Sequence, residues 1–114
     1  RLSGSFLPTE VALAMSEAAQ HCVDIAELQA RACELIADVT GAEAGYVTSG
    51  AAAGLLLGTA ACVTGLDPDK MNRLPDTMGM RNEVIIARSH RNFYDHALRS
   101  TGITLVEVGI SSRI

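Results

Sequence analysis

The stretch "VTSGAAAGLLLGTAACVTG", Val47–Gly65, has no charged side chain and is dense in glycine and alanine. Three structures suit such a run: a membrane span, a helix buried on all sides, or a backbone cradle for a phosphate. For a span, Ala44–Leu66 is uncharged and Gly50, Gly54 and Gly58 form a small-xxx-small series. Against it, no basic or aromatic residue beyond Tyr46 anchors the ends, few positions are strongly apolar, and Thr48-Ser49-Gly50 breaks the run as a turn. A helix apolar all round has protein all round, and that reading is compatible with every residue here. The phosphate reading adds one claim to it. A strand ending at Thr48, a turn at Ser49-Gly50 and a helix opening on three alanines would aim several free N–H groups at one point, with little side chain to keep an anion away. The pattern is neither a Walker loop nor a GxGxxG fingerprint, so both the buried-helix and the phosphate readings stay open.

Working outward, the segments on either side alternate between strand and helix character. Toward the N-terminus, Pro8 suits a first helical turn, with Val11, Met15, Ala18 and Cys22 on one stripe. Asp24 followed by Glu27 reads as a capping box for a second helix. Its apolar stripe runs through Ile25, Leu28, Ala32, Leu35, Ile36 and Val39, and Gly41 ends it. Ala44–Thr48 reads as a short buried strand and Ala51–Val63 as the apolar helix. Toward the C-terminus, a loop spans Leu66–Asn82, Glu83–Ala87 (EVIIA) is a second strand, Asn92–Ser100 a helix, and Thr104–Val108 (TLVEV) a third strand. This order predicts an α/β fold with a mainly parallel sheet, preceded by two helices.

The totals narrow the function. With 114 residues the chain is one small domain or part of a larger one, and 48% apolar but only 4% aromatic residues suit close-packed helices and buried strands. The net charge of -4, with no basic run, argues against nucleic acid as a direct partner. Eight arginines stand against one lysine, Lys70, which lies in a polar loop. Cys22, Cys33 and Cys62 are odd in number and far apart, and are expected to be reduced core residues of a cytoplasmic protein. No secretory signal is visible. The chain opens without Met and stops at Ser111–Ile114 just after a strand-like run, from which both ends are expected to be cut from something longer.

A second cluster, "IIARSHRNFYDHALRSTG" (Ile85–Gly102), runs from a strand end into a helix. Ligands of parallel sheets collect beyond the C-terminal ends of strands, which favours Arg88 and His90. The plain alternative is a solvated loop and helix start, and for His96 it is the preferred one. No zinc spacing is present. Asp95 is placed to pair with Arg91 or Arg99 as a weak surface contact, Asp76 and Thr77 suit either a pocket or an ordinary turn, and Glu107 reads as a strand-edge residue.

Three segments, "DIAELQARACELIADVTG", "GAEAGYVTSGAAAGLLLGTAACVTG" and "RLPDTMGMRNEVIIARSHRNFYDHALRSTGITLVEVG", in order and covering nearly the whole chain, resemble the pyridoxal-phosphate proteins related to selenocysteine synthase (L-seryl-tRNA selenium transferase). That group includes D-glucosaminate-6-phosphate ammonia lyase. The resemblance implies the three-layer large domain of fold-type I, aspartate-aminotransferase-like enzymes, with residues 1–42 as a helical lead-in and 43–114 as its first part. It implies pyridoxal 5'-phosphate as cofactor, with Ser49, Gly50, Ala51 and Ala52 on its phosphate and His90 stacked on its ring. Arg88 and Arg91 would then be available to a substrate carboxylate or phosphate.

The resemblance also implies lyase or transferase chemistry on an amino acid or phosphorylated amino sugar acid, and a homo-oligomer of at least two chains. Enzymes of this fold bind the coenzyme covalently through a lysine far downstream, and hold its ring nitrogen with an acidic residue there. The chain ends before either, and Lys70 is in the wrong segment, so the expectation is the N-terminal portion of a longer enzyme. A few parallel strands and an all-apolar helix also need more cover than 114 residues supply, either from further chain or from a second subunit. The competing expectation is a non-catalytic α/β module that binds a partner through its apolar helix.

Overall fold

The computed structural model describes residues 4–110; the tail Ser111–Ile114, on which the reading of a cut end partly rests, lies outside the described residues. The chain divides into two compact units, Arg1–Val47 and Thr48–Ile114.

The first unit carries two helices, α1 (Thr9–Ala18) and α2 (Ile25–Thr40). Pro8 immediately precedes α1, where its missing N–H removes no intrahelical bond. Asp24 caps α2 by accepting from the amides of Ala26 and Glu27, at 2.8 and 3.0 Å, and Gly41 ends it in the left-handed conformation at φ 72°. The loop returning from α2 packs closely on it, because a Cβ at Gly45 would lie 2.5 Å from Ile36 Cγ2. Cys33 Sγ accepts from the Gly45 amide at 3.3 Å.

Residues 44–48 form no strand, contrary to the sequence reading. Among the described residues no strand lies alongside them. A side chain takes that place. Gln29 donates through Nε2 to the Val47 carbonyl at 2.8 Å and accepts the Val47 amide on Oε1 at 3.2 Å. One amide side chain thus reproduces both bonds of a ladder neighbour.

The second unit is α/β: α3 (Ala51–Thr64), α4 (Pro68–Arg73), β1 (Glu83–Ala87), a 3-10 turn (Arg88–His90), α5 (Asp95–Arg99) and β2 (Thr104–Val108). Strands β1 and β2 pair in parallel, with Glu83 opposite Thr104 and Ala87 opposite Val108. Helix α3 packs against α4 and α5. Helix α4 lies within the stretch expected to be a loop. Its start is written as Asp67-Pro68, with the Asp67 carboxylate accepting from the amides of Asp69 and Lys70 and proline in the first turn. The helix expected over Asn92–Ser100 is shorter, because Asn92 Oδ1 takes the Tyr94 amide and holds residues 92–94 in a turn.

Close packing joins the segment after α4 to the start of β2, where Thr77 (6% exposed), Thr101 and Ile103 are buried. Thr77 donates to the Gly102 carbonyl at 2.8 Å and accepts from Asn82 Nδ2 at 2.9 Å. The Thr104 amide donates to the Asn82 carbonyl at 2.8 Å and so starts β2 in register. Gly102, at φ 87°, leaves no room for a side chain, since its Cβ would overlap the Pro75 carbonyl.

Elsewhere the apolar residues lack cover. Among the described residues Val63 and Ile103 are the buried hydrophobic side chains, whereas Leu55, Leu56 and Leu57 of α3 and Ile85 of β1 are exposed. The helix expected to be buried on all sides is therefore buried within this chain only at Thr59, Val63 and Thr64. Of the α2 stripe, Ile25, Leu28, Leu35 and Val39 are exposed and Ala32 and Ile36 half-buried, and the cysteines are free but not core residues: Cys22 and Cys62 are exposed and Cys33 is half-buried. Among the described residues no helix is long and apolar enough to cross a membrane.

Candidate functional site

At the start of α3, Gly50 has φ 148° and ψ 175°, a backbone state open to glycine and strained for any other residue. Thr48 Oγ1 donates to the Gly50 carbonyl at 2.9 Å, and the same carbonyl accepts the Gly54 amide at 3.0 Å, the first bond of the helix. No side chain caps α3. The amides of Ala51, Ala52 and Ala53 precede that first bond and have no intrahelical acceptor, and the region about the Gly50 Cα is open, with no atom within 4 Å of a Cβ built there. Ser49, Gly50, Ala51 and Ala52 are all exposed. The result is a set of hydrogen-bond donors at the positive end of a 14-residue helix, bounded by small residues and facing no carboxylate in its first turn. That donor set fits a phosphate dianion, which offers only acceptors.

Arg88, His90 and Arg91 lie just beyond the C-terminal end of β1, in and after the 3-10 turn. The two arginines converge on one carboxylate. Arg88 Nε donates to Glu107 Oε2 at 3.0 Å, and Arg91 Nη1 pairs with Glu107 Oε1. Arg91 also donates through Nε to Asp95, whose side chain is almost wholly buried. The Asp95 pair, expected on the surface, is therefore internal, and Arg91 rather than Arg99 is the partner. The hydrogen bond from Arg91 holds the Asp95 carboxyl below its ordinary range against the opposing effect of burial. The same contact raises Arg91 further above its already high value.

Two arginines and two carboxylates sum to zero formal charge. The cluster therefore pulls on an anionic substrate less than two free guanidinium groups would, although donors on each arginine stay unused. His90 presents an exposed imidazole, and only its backbone carbonyl is tied, accepting from Asn92 Nδ2 at 2.9 Å. His96 bonds to Arg99 at 3.1 Å, on the helix surface. No hydrogen bond or ion pair joins residues 49–52 to residues 88–91 among the described residues. Lys70 pairs with Asp67 at 3.5 Å within α4.

Sequence reasoning missed Glu107 as the common partner of Arg88 and Arg91. The available signal was its place on β2, opposite Ile86, with both arginines following shortly after the end of the neighbouring strand. Asp76 and Thr77 both serve the local fold. The Asp76 carboxylate accepts the Met78 amide, which lowers its pKa, and Thr77 is the buried link to Gly102 described above. Among the described residues no group of three histidine, cysteine or acidic side chains gathers as a metal site would require.

No family model matches the chain. It is similar over 97% of its length, at 38% identity, to D-glucosaminate-6-phosphate ammonia lyase of Salmonella typhimurium (strain 14028s / SGSC 2262). It is also 37% identical, over 95% of its length, to 5'-C-glycyluridine monooxygenase-decarboxylase of a Streptomyces species. The solved structure of a D-glucosaminate-6-phosphate ammonia-lyase superposes on 94% of the chain, with a TM-score of 0.87 and 39% identity. The chain spans 31% and 28% of the lengths of those two enzymes and 30% of the solved structure.

Proposed function

We propose that the chain is the N-terminal part of a pyridoxal-phosphate-dependent lyase of the selenocysteine synthase-related, fold-type I group, acting on an amino acid with a large polar substituent. The observation that carries this reading is the unbroken likeness to an ammonia lyase along 97% of the chain. The two named relatives act on glucosaminate, an amino sugar acid, and on a glycyl-substituted nucleoside, and the amino acid group is what those substrates share. Pyridoxal phosphate, when bound, supplies an electron sink at the substrate's α-carbon.

The residues of this chain bind and orient. The amides of Ala51, Ala52 and Ala53, with the Ser49 hydroxyl, hold the phosphate, and Gly50 supplies the backbone conformation that opens the turn. His90 offers its ring face to the coenzyme ring. Arg88, through the donors that Glu107 leaves unused, holds a substrate carboxylate or phosphate; Arg91, tied to both Glu107 and Asp95, has fewer to offer. The lysine that bonds the coenzyme lies in a further part of the protein, which also covers α2, α3 and the open faces of the sheet. A second subunit of the same protein completes that cover.

The test is a titration of the natural full-length protein with pyridoxal 5'-phosphate, followed by its visible absorbance. Saturable binding with a new absorption band, abolished by borohydride reduction at a single lysine, supports the reading. Absence of binding refutes it.

A further inference from the structure

The residues on either side of His90 are tied to the same place. Arg88 and Arg91 reach from the turn after β1 to the two oxygens of Glu107 on the neighbouring strand β2. Arg91 is held a second time by the almost wholly buried carboxylate of Asp95 on α5. Asn92 Nδ2 fixes the His90 carbonyl at 2.9 Å, while Asn92 Oδ1 takes the Tyr94 amide at 2.8 Å. The backbone from 88 to 92 is thus anchored before, at and after His90, and the imidazole is left exposed. Isolated exposed ion pairs contribute little to stability. A carboxylate shared by two arginines with only His90 and Ser89 between them instead restricts the orientation of the turn, which is what a ring presented to a planar ligand requires.

From this geometry we infer that Glu107 is a positioning residue which, acting through Arg88 and Arg91, fixes the turn that carries His90 and so the point from which its imidazole is presented. The inference rests on the proposed function only for what His90 meets, the coenzyme ring.

The test is a double-mutant cycle in the natural full-length protein, with Glu107→Gln, His90→Ala and both together. Arg88→Gln serves as a milder second route to the same loss. Three readouts are taken: amide exchange of residues 88–92 without coenzyme, affinity for pyridoxal 5'-phosphate, and circular dichroism of the bound coenzyme. Glu107→Gln should speed exchange in 88–92 about tenfold and weaken coenzyme affinity about fivefold. It should also change the dichroic band, and most of the affinity loss should vanish in the His90→Ala background.

Additive losses within about twofold overturn the inference while leaving the coenzyme reading in place, and so does unchanged exchange in 88–92 for both Glu107→Gln and Arg88→Gln. If His90→Ala changes neither affinity nor the dichroic band, the ring-facing role of His90 falls and takes the inference with it. If the wild-type protein binds no coenzyme, the proposed function itself has failed.

Discussion

Replacing Gly102 by alanine tests the packing that holds the second unit together. The residue has φ 87°, a conformation that costs an L-residue about 1–2 kcal/mol. The new Cβ would also overlap the Pro75 carbonyl oxygen and stand 2.8 Å from the Pro75 carbonyl carbon and 3.1 Å from Thr77 Cγ2. These are backbone atoms and a buried threonine, so nothing at the site can simply rotate away. Relief requires the Pro75–Thr77 segment to move, which stretches the Thr77–Gly102 hydrogen bond of 2.8 Å, worth about 0.5–1.5 kcal/mol, and disturbs the packing of Thr101 and Ile103. The two terms together give about 1.5–3.5 kcal/mol, and the disturbed packing adds to them, toward the upper end of what single substitutions cost. Gly79→Ala is the internal control: φ is 78° but no atom lies within 4 Å of its Cβ, so only the conformational part, about 1–2 kcal/mol, applies. Urea unfolding of the natural protein, with hydrogen exchange at the Thr104 amide as a local probe, should separate the two variants by about 1 kcal/mol or more. Equal destabilisation would show that the close approach of Gly102 to Pro75 contributes nothing.

Other substitutions follow from the same geometry. Asp24→Ala removes the cap of α2 and should lower stability by about 1 kcal/mol; thermal unfolding measures it, and full rescue is expected from Asp24→Ser. Gln29→Leu deletes both bonds to Val47 and should speed exchange of the Val47 amide by at least about tenfold, whereas unchanged exchange would mean that the clamp does not form in solution. The Asp95 carboxyl is held below its ordinary value in the folded protein, so its stabilising contribution is complete above the unfolded value of about 3.9 and is lost as pH falls through the folded one. Asp95→Asn should therefore flatten the fall in stability below about pH 4, as read from unfolding midpoints across an acid series; an unchanged slope would detach Asp95 from that titration.

Much of the fold was legible because local chemistry determines it. Both strands fall where the β-branched runs EVIIA and TLVEV place them, and Asp24 with Gly41 bounds α2 as caps do. The strand expected at Ala44–Thr48 was not legible, because being a strand depends on a neighbour rather than on the residues themselves. At Val47 the place of a ladder partner is taken by the Gln29 side chain. Helix α4 lies inside the expected loop Leu66–Asn82 because a proline suits a loop and a first helical turn alike, and Pro68 here opens the helix behind an Asp67 cap. At the candidate site, the Ser49-Gly50 bend before α3 could be read from its small residues, and the place of Arg88–His90 beyond β1 from the EVIIA run. The shared carboxylate of Glu107 could not, since it depends on the parallel register of β1 and β2. The burial expected for α3 follows from its composition, yet this chain supplies only part of the covering surface, so Leu55, Leu56 and Leu57 remain open.

The central claim is that the free amides at the start of α3 hold the phosphate of the coenzyme. The most direct measurement compares the affinities of the natural full-length protein for pyridoxal 5'-phosphate and for pyridoxal, in wild type and in Gly50→Val. That substitution forces the turn out of a conformation costing other residues about 1–3 kcal/mol. The wild type should prefer the phosphorylated form by at least about a hundredfold, as three charge-assisted hydrogen bonds imply, and the variant should lose most of that preference while binding pyridoxal unchanged. A preference that survives the substitution intact would place the phosphate elsewhere and contradict the account.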